Sequence, residues 1–190
     1  MKIVKDEVLD MFENISKAKG TNAKKELLKV YLYSNLYFQT LISYSFNPYR
    51  SFHVVKVPKI KKEDRNPIDP KDAWKEFILN ADRCSKREVT GNAAVELMQE
   101  TFKQSSELQE KWMRKILKKN LAIGVSTKTI NKVQSNLIPT FEVSLAQKFE
   151  RKRMSDWVYI EPKLDGIRCL AIVEDGEAKL FTRQGKLVTN

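Results

Sequence analysis

Residues 157–173 read Trp157-Val158-Tyr159-Ile160-Glu161-Pro162-Lys163-Leu164-Asp165-Gly166-Ile167-Arg168-Cys169-Leu170-Ala171-Ile172-Val173. The apolar and β-branched residues on both sides of Pro162–Gly166 predict strand, tight turn, strand, with a lysine displayed at the turn. This stretch marks a change of period. Upstream, apolar residues recur at helical spacing; from residue 157 onward they follow a strand pattern. The chain is therefore expected to be mainly α, with a long helical region followed by the first strands of an α+β domain.

Downstream, Asp175-Gly176 predicts a two-residue hairpin turn between Arg168–Glu174 and Glu177–Arg183. Gln184-Gly185 predicts another turn before Lys186-Leu187-Val188. Upstream, Lys148–Arg153 is a charged run, and residues 141–156 are expected to connect two domains, 1–140 and 157–190. Within the first, Val4, Val8, Met11, Phe12 and Ile15 form one apolar stripe that ends at Gly20. Leu27, Leu28, Tyr31, Leu32 and Leu36 form a second. A loop rich in proline and basic residues is expected from Asn47 to Pro67. Asp69-Pro70 opens a third helix, with Asp69 as cap and Pro70 in the first turn. Thr90 is expected to cap a fourth, carrying Ala94, Leu97, Met98 and Phe102. Ser106 and Gln109 predict a capping box for a fifth. That helix is expected to bury Leu108, Trp112, Met113, Ile116 and Leu117. Its other face carries Lys111, Arg114, Lys115, Lys118 and Lys119. The aromatic and methionine stripes read as core.

The 190 residues carry 35 Lys and Arg against 24 Asp and Glu, a net charge of +11. Such an excess suits a polyanionic partner and says nothing about fold; a solvated basic surface is the competing reading. No apolar run approaches the roughly 20 residues a membrane-crossing helix requires. The first twenty residues lack the layout of a signal peptide. The cysteines, Cys84 and Cys169, are far apart and read as reduced thiols of an intracellular protein. With no C-x-x-C pair and one histidine, His53, the sequence argues against a zinc site or a Ser-His-Asp triad, and no residue is assigned as a metal ligand.

Two stretches combine glycine, hydroxyl and basic residues at expected helix starts. One is Lys86-Arg87-Glu88-Val89-Thr90-Gly91-Asn92; the other is Ile123-Gly124-Val125-Ser126-Thr127-Lys128-Thr129. A helix N-terminus offers unpaired N–H groups and the positive end of the dipole, so it accepts phosphate. Arg87, Thr90, Gly91, Asn92, Gly124, Ser126 and Lys128 are the candidate contacts to a nucleic-acid backbone, held without base reading. Ordinary helix caps are the competing reading.

The hexapeptide Lys163–Arg168 resembles the nucleotidyl-transfer signature of ATP-dependent DNA ligases, RNA ligases and mRNA-capping enzymes. An unperturbed lysine amine titrates near ~10.4 and is a poor nucleophile while protonated. Neighbouring positive charge, from Arg168 or a metal, favours the neutral amine. Gly166 permits a sharp turn and close phosphate approach. Asp165 is placed to orient the lysine or help hold Mg²⁺. The long helical region narrows the resemblance, because capping enzymes and short RNA ligases generally begin near their lysine strand. Tyr33-Ser34, Asn47-Pro48-Tyr49 with Val55-Lys56-Val57-Pro58, Val89–Ala94, Gly124-Val125-Ser126 with Asn131-Lys132-Val133, and Leu137-Ile138-Pro139 are similar to the ATP-dependent DNA ligases of T-even bacteriophages.

That resemblance implies an all-helical DNA-binding domain followed by the start of a nucleotidyltransferase (adenylation) domain. It implies Lys163 as the adenylylation nucleophile, with Glu161 contacting adenine, Arg168 the ribose, and Arg183, in Phe181–Gly185, the nucleotide and later the nick. It implies ATP and Mg²⁺ as cofactors and nicked duplex DNA as partner, in replication, repair or recombination. The cytoplasm is the expected location, that of the host for a viral protein, with no membrane partner. The family's later motifs are not found in this sequence. The isolated chain is thus expected to bind duplex DNA but not to seal nicks without a C-terminal ligase portion supplying them. The alternative is a DNA-binding module without ligase activity of its own; an RNA ligase or capping enzyme is a third reading.

Overall fold

The computed structural model describes residues 5–54, 56–140, 150–151, 157–159, 162, 166, 169–174, 176–182 and 187–188. The chain divides into two compact units, residues 1–139 and 140–190.

The first unit is helical. Helix α1 (Glu7–Lys17) starts at Asp6, whose Oδ1 accepts the Leu9 N–H at 3.0 Å, and carries acid in its first turn and Lys17 in its last, as the helix dipole favours. Its stripe buries Val8, Phe12 and Ile15. Helix α2 (Thr21–Ser34) buries Leu28 and Leu32. The second stripe was expected to continue through Leu36, but the structure breaks it at Asn35. The Asn35 N–H closes α2 on the Tyr31 carbonyl (3.1 Å), while its Oδ1 accepts the Phe38 N–H (2.9 Å) and opens α3 (Leu36–Phe46). Leu36 is left exposed. Helix α3 buries Phe38, Leu41, Ile42, Tyr44 and Ser45. Because it is apolar around most of its circumference, it shows little periodicity in the sequence.

Helix α4 (Pro70–Ser85) is capped by Asp69, whose Oδ1 accepts the Lys71 N–H at 2.9 Å. Helix α5 (Gly91–Lys103) packs against α4, and a buried polar pair joins them: Asn80 donates to Thr101 Oγ1 (3.0 Å), which donates to the Leu97 carbonyl (2.8 Å). Helix α6 (Glu107–Leu117) begins with the expected capping box, the Gln109 N–H on Ser106 Oγ (3.2 Å) and the Ser106 N–H on Gln109 Oε1 (3.0 Å). Leu108, expected inside, is exposed, because α6 turns Gln109 and Glu110 inward instead. Helix α7 (Thr127–Val133) ends six residues before Pro139; the following turn is clasped by Asn131, which donates to the Ile138 carbonyl (2.8 Å) and accepts the Ile138 N–H (2.9 Å).

The core is an aromatic cluster centred on Phe12. Its ring lies 5.0 Å from those of Phe38 and Trp112, stacked on the latter, and 6.1 Å from Trp74. Both indoles are buried and both donate to α1 carboxylates: Trp74 Nε1 to Asp6 Oδ1 and Trp112 Nε1 to Glu13 Oε1, each at 3.0 Å. Burial pushes the Asp6 carboxyl above its ordinary range despite these donors; the Trp112 N–H holds Glu13 below it.

In the second unit, β1 (Cys169–Glu174) pairs antiparallel with β2 (Glu177–Thr182), Glu174 opposite Glu177, so the loop is two residues long, as expected from Asp175-Gly176. Gly176 has φ 81°, which the turn requires and glycine tolerates. An isolated bridge joins Phe181 to Leu187. Leu170, Ile172, Val173 and Leu180 are exposed on the two faces of the ribbon. Among the described residues no helix is long and apolar enough to cross a membrane.

Candidate nucleic-acid interface

The first candidate stretch joins α4 to α5. The Glu88 N–H reaches the Arg83 carbonyl (2.9 Å) and the Arg87 N–H the Cys84 carbonyl (3.1 Å), a Schellman closure of α4. Its left-handed position, usually glycine, is filled by Arg87 at φ 60°. Arg87 is exposed, and its guanidinium has no hydrogen bond or ion pair among the described residues. Gly91 has φ 59°, and a Cβ there would meet nothing within 4 Å. Its backbone conformation, not lack of space, calls for glycine. Thr90 occupies the cap position of α5, but its side chain accepts no helix N–H, contrary to expectation. The first-turn N–H groups of this 13-residue helix thus lack a side-chain cap, beside exposed Thr90, Gly91 and Asn92.

An arginine in the left-handed region costs roughly 1–2 kcal/mol that glycine avoids, partly offset by the greater freedom glycine loses on folding. Arg87→Gly is therefore expected to raise stability by up to about 1 kcal/mol while weakening nucleic-acid binding and lowering its salt dependence by about one phosphate contact. Urea denaturation and DNA titration of the same preparation check both. A variant neither more stable nor weaker in binding would assign Arg87 no role.

The second stretch leads into α7. Gly124 has φ 67°, and a Cβ there would lie 2.6 Å from Lys24 Nζ, so both backbone and space demand glycine. Lys24, on α2, donates to the Ile123 carbonyl at 2.6 Å and ties the turn to that helix. Ser126 caps α7, accepting the Thr129 N–H at 3.2 Å, with Thr129 Oγ1 3.0 Å away. Its hydroxyl is therefore engaged within the protein. Lys128 is exposed and makes no ion pair among the described residues. The two stretches belong to different helix pairs: α5 packs on α4, α7 on α2.

Further basic side chains line a cleft between residues 59–65 and α6. The sequence showed the basic face of α6 but not Lys24 or the wall of residues 59–65 opposite that face, since each depends on residues brought together from far along the chain.

Lys163, Glu161, Arg168 and Arg183 lie outside the described residues. Gly166 lies within them: a Cβ there would meet nothing within 4 Å, and its φ is not in the left-handed region. Among the described residues no group of three or more His, Cys, Asp or Glu side chains could hold a metal ion.

No protein-family model matches the chain. Over 106 residues, 52% of the chain, it is 29% identical to the DNA ligase of Enterobacteria phage T4, and to the same extent to that of phage T6. The matched region spans 22% of those relatives. Among solved structures, Pmar-Lig_PreS3 superposes on 95% of the chain with a TM-score of 0.72 at 26% identity, and Pmar-Lig_Pre with 0.71 at 28%. The chain covers 43% and 42% of those two. Sequence and three-dimensional likeness agree: the chain resembles the N-terminal region of DNA ligases of the T-even phage type.

Proposed function

We propose that the chain is the N-terminal part of an ATP-dependent DNA ligase, whose helical unit grips nicked duplex DNA and whose second unit begins the adenylation domain. The observations that carry this reading are the likeness to ligases across nearly the whole chain and the Lys-x-Asp-Gly-x-Arg sequence at Lys163–Arg168. Sequence-independent grip follows from the basic α4–α5 junction. Arg87 with the uncapped start of α5 at Thr90, Gly91 and Asn92 takes one run of phosphates. The turn at Gly124, with Lys128 beyond it, offers a second; Ser126 shapes that turn as its cap.

In the chemical step, the Lys163 ammonium first loses its proton, for which Arg168 supplies a favourable field. The neutral amine attacks the α-phosphorus of ATP. An N–P bond forms as the α–β bridging P–O bond breaks, and pyrophosphate leaves. The AMP then passes to the 5′-phosphate of the nick, and the 3′-hydroxyl displaces it. Glu161 is assigned to adenine, Arg168 to the ribose, and Arg183 to the nucleotide and then the nick. Mg²⁺, bound with the nucleotide, would offset the charge of its phosphates.

The test is intact mass of the protein after incubation with ATP and Mg²⁺, beside Lys163→Ala. One AMP adduct, absent from the variant, supports the ligase reading. An adduct formed with GTP in place of ATP would point to capping chemistry. No adduct, with nicked-duplex binding retained, would leave a DNA-binding module.

A further inference from the structure

We infer that the cleft between residues 59–65 and α6 is a separate contact for the phosphate backbone of duplex DNA, engaged through Lys59, Lys111, Lys115 and Lys118. The inference rests on the DNA-binding reading above and extends it to a surface which neither glycine turn forms.

The cleft has a fixed floor. Glu110, 5% exposed, accepts from Arg65 through Oε2 and from Arg114 Nε through Oε1, the latter at 2.6 Å. Arg65 also donates to the Phe102 and Ser105 carbonyls, both at 3.2 Å. Arg114 donates to the Val57 and Pro58 carbonyls at 2.8 and 2.6 Å. The two guanidiniums thereby staple the segment of residues 57–60 onto α6. Their charge is largely spent on Glu110 and backbone oxygens.

The lysines on the walls differ. Lys111, Lys115 and Lys118 stand at i, i+4 and i+7, one stripe that rises about 10 Å along the helix. Phosphates of one strand advance about 3.4 Å along the duplex axis, so a stripe of this length spans about three phosphate steps. Lys59 faces the stripe from the opposite wall. Lys59, Lys111 and Lys118 make no ion pair among the described residues. Lys115 is drawn over the Trp112 ring, 3.8 Å from its centroid, and burial together with Lys111 pushes its ammonium below the ordinary lysine range. Glu107 is the one acid of the lining not already engaged by an arginine. Glu13 is shared among Lys17, Lys111 and Lys115, so positive charge stays in excess, and an open cleft of four lysines with one unengaged acid in its lining suits an external polyanion.

The test uses the 190-residue chain and a labelled nicked duplex, titrated by fluorescence anisotropy over a range of salt. Lys59→Gln/Lys111→Gln/Lys118→Gln is compared with Lys19→Gln/Lys71→Gln/Lys75→Gln, which removes the same charge from exposed positions elsewhere. The cleft variant is expected to lose affinity on the order of tenfold or more and to lower the slope of log K against log salt by about 2–3. Its melting temperature should stay unchanged and the control should lose much less. Equal losses in both variants, or an unchanged slope in the cleft variant, would overturn the inference while leaving the α4–α5 contact standing. Arg87→Gln reports on that contact independently. A wild-type chain that does not bind duplex DNA would sink both readings.

Discussion

Glu110→Ala is expected to destabilise the helical unit by about 3–5 kcal/mol, the cost of breaking a buried ion network on one side. Among the described residues Glu110 is the one acid paired with Arg65 and Arg114, and the Arg65 side chain is itself 11% exposed. Removing the carboxylate leaves two guanidiniums facing each other with backbone carbonyls as their remaining acceptors. The segment from Val57 to Ile60 hangs on those same guanidiniums, so it should loosen as well. Thermal denaturation followed by circular dichroism should show a fall on the order of 10 °C. Glu110→Gln, which keeps one strong acceptor, should lose less. A loss below about 1 kcal/mol would mean that the network is solvated and weak, as surface pairs are.

Phe12→Ala is expected to cost a further and comparable amount, about 3–5 kcal/mol. Phe12 is fully buried, and its ring touches aromatic rings of α3, α4 and α6. Truncation opens a cavity at the point where four helices meet, and the neighbouring rings are too rigid to fill it. Domains of this size are stable by only about 5–15 kcal/mol, so the variant should keep helical circular dichroism but lose fixed aromatic packing. Near-ultraviolet circular dichroism and dye binding would reveal this. A native near-ultraviolet spectrum with unchanged stability would remove Phe12 from the centre of the core.

Much of this architecture is readable without coordinates, for local reasons. Asp69-Pro70 and Ser106 with Gln109 announce helix starts because a short polar side chain there meets backbone donors two or three residues on. Asp175-Gly176 announces the hairpin because that turn needs positive φ. Helix α3 is not announced. Its apolar residues surround it, and its start at Asn35 lies inside what reads as one continuous stripe. Thr90 illustrates the opposite failure. Its type and position suit a cap, yet the backbone of Gly91 turns the helix start away from its hydroxyl.

The sequence by itself determined the class of the chain: helix periods giving way to a strand period, an excess of positive charge, and a Lys163–Arg168 hexapeptide that resembles a nucleotidyl-transfer signature. These are local or additive properties, and a linear string states them in full. Tertiary structure alone decided which charges remain available. Arg114 and Lys119 look, in sequence, like members of one exposed basic face. Folding commits Arg114 to Glu110 and two carbonyls, and Lys119 to the carbonyls of Asn47 and Arg50. Lys111 and Lys118 stay exposed and make no ion pair among the described residues. Glu110 lies one helical turn from Arg114, but the carbonyls that hold Arg114 and Lys119 lie more than fifty residues off in sequence, at distances only the packed fold sets.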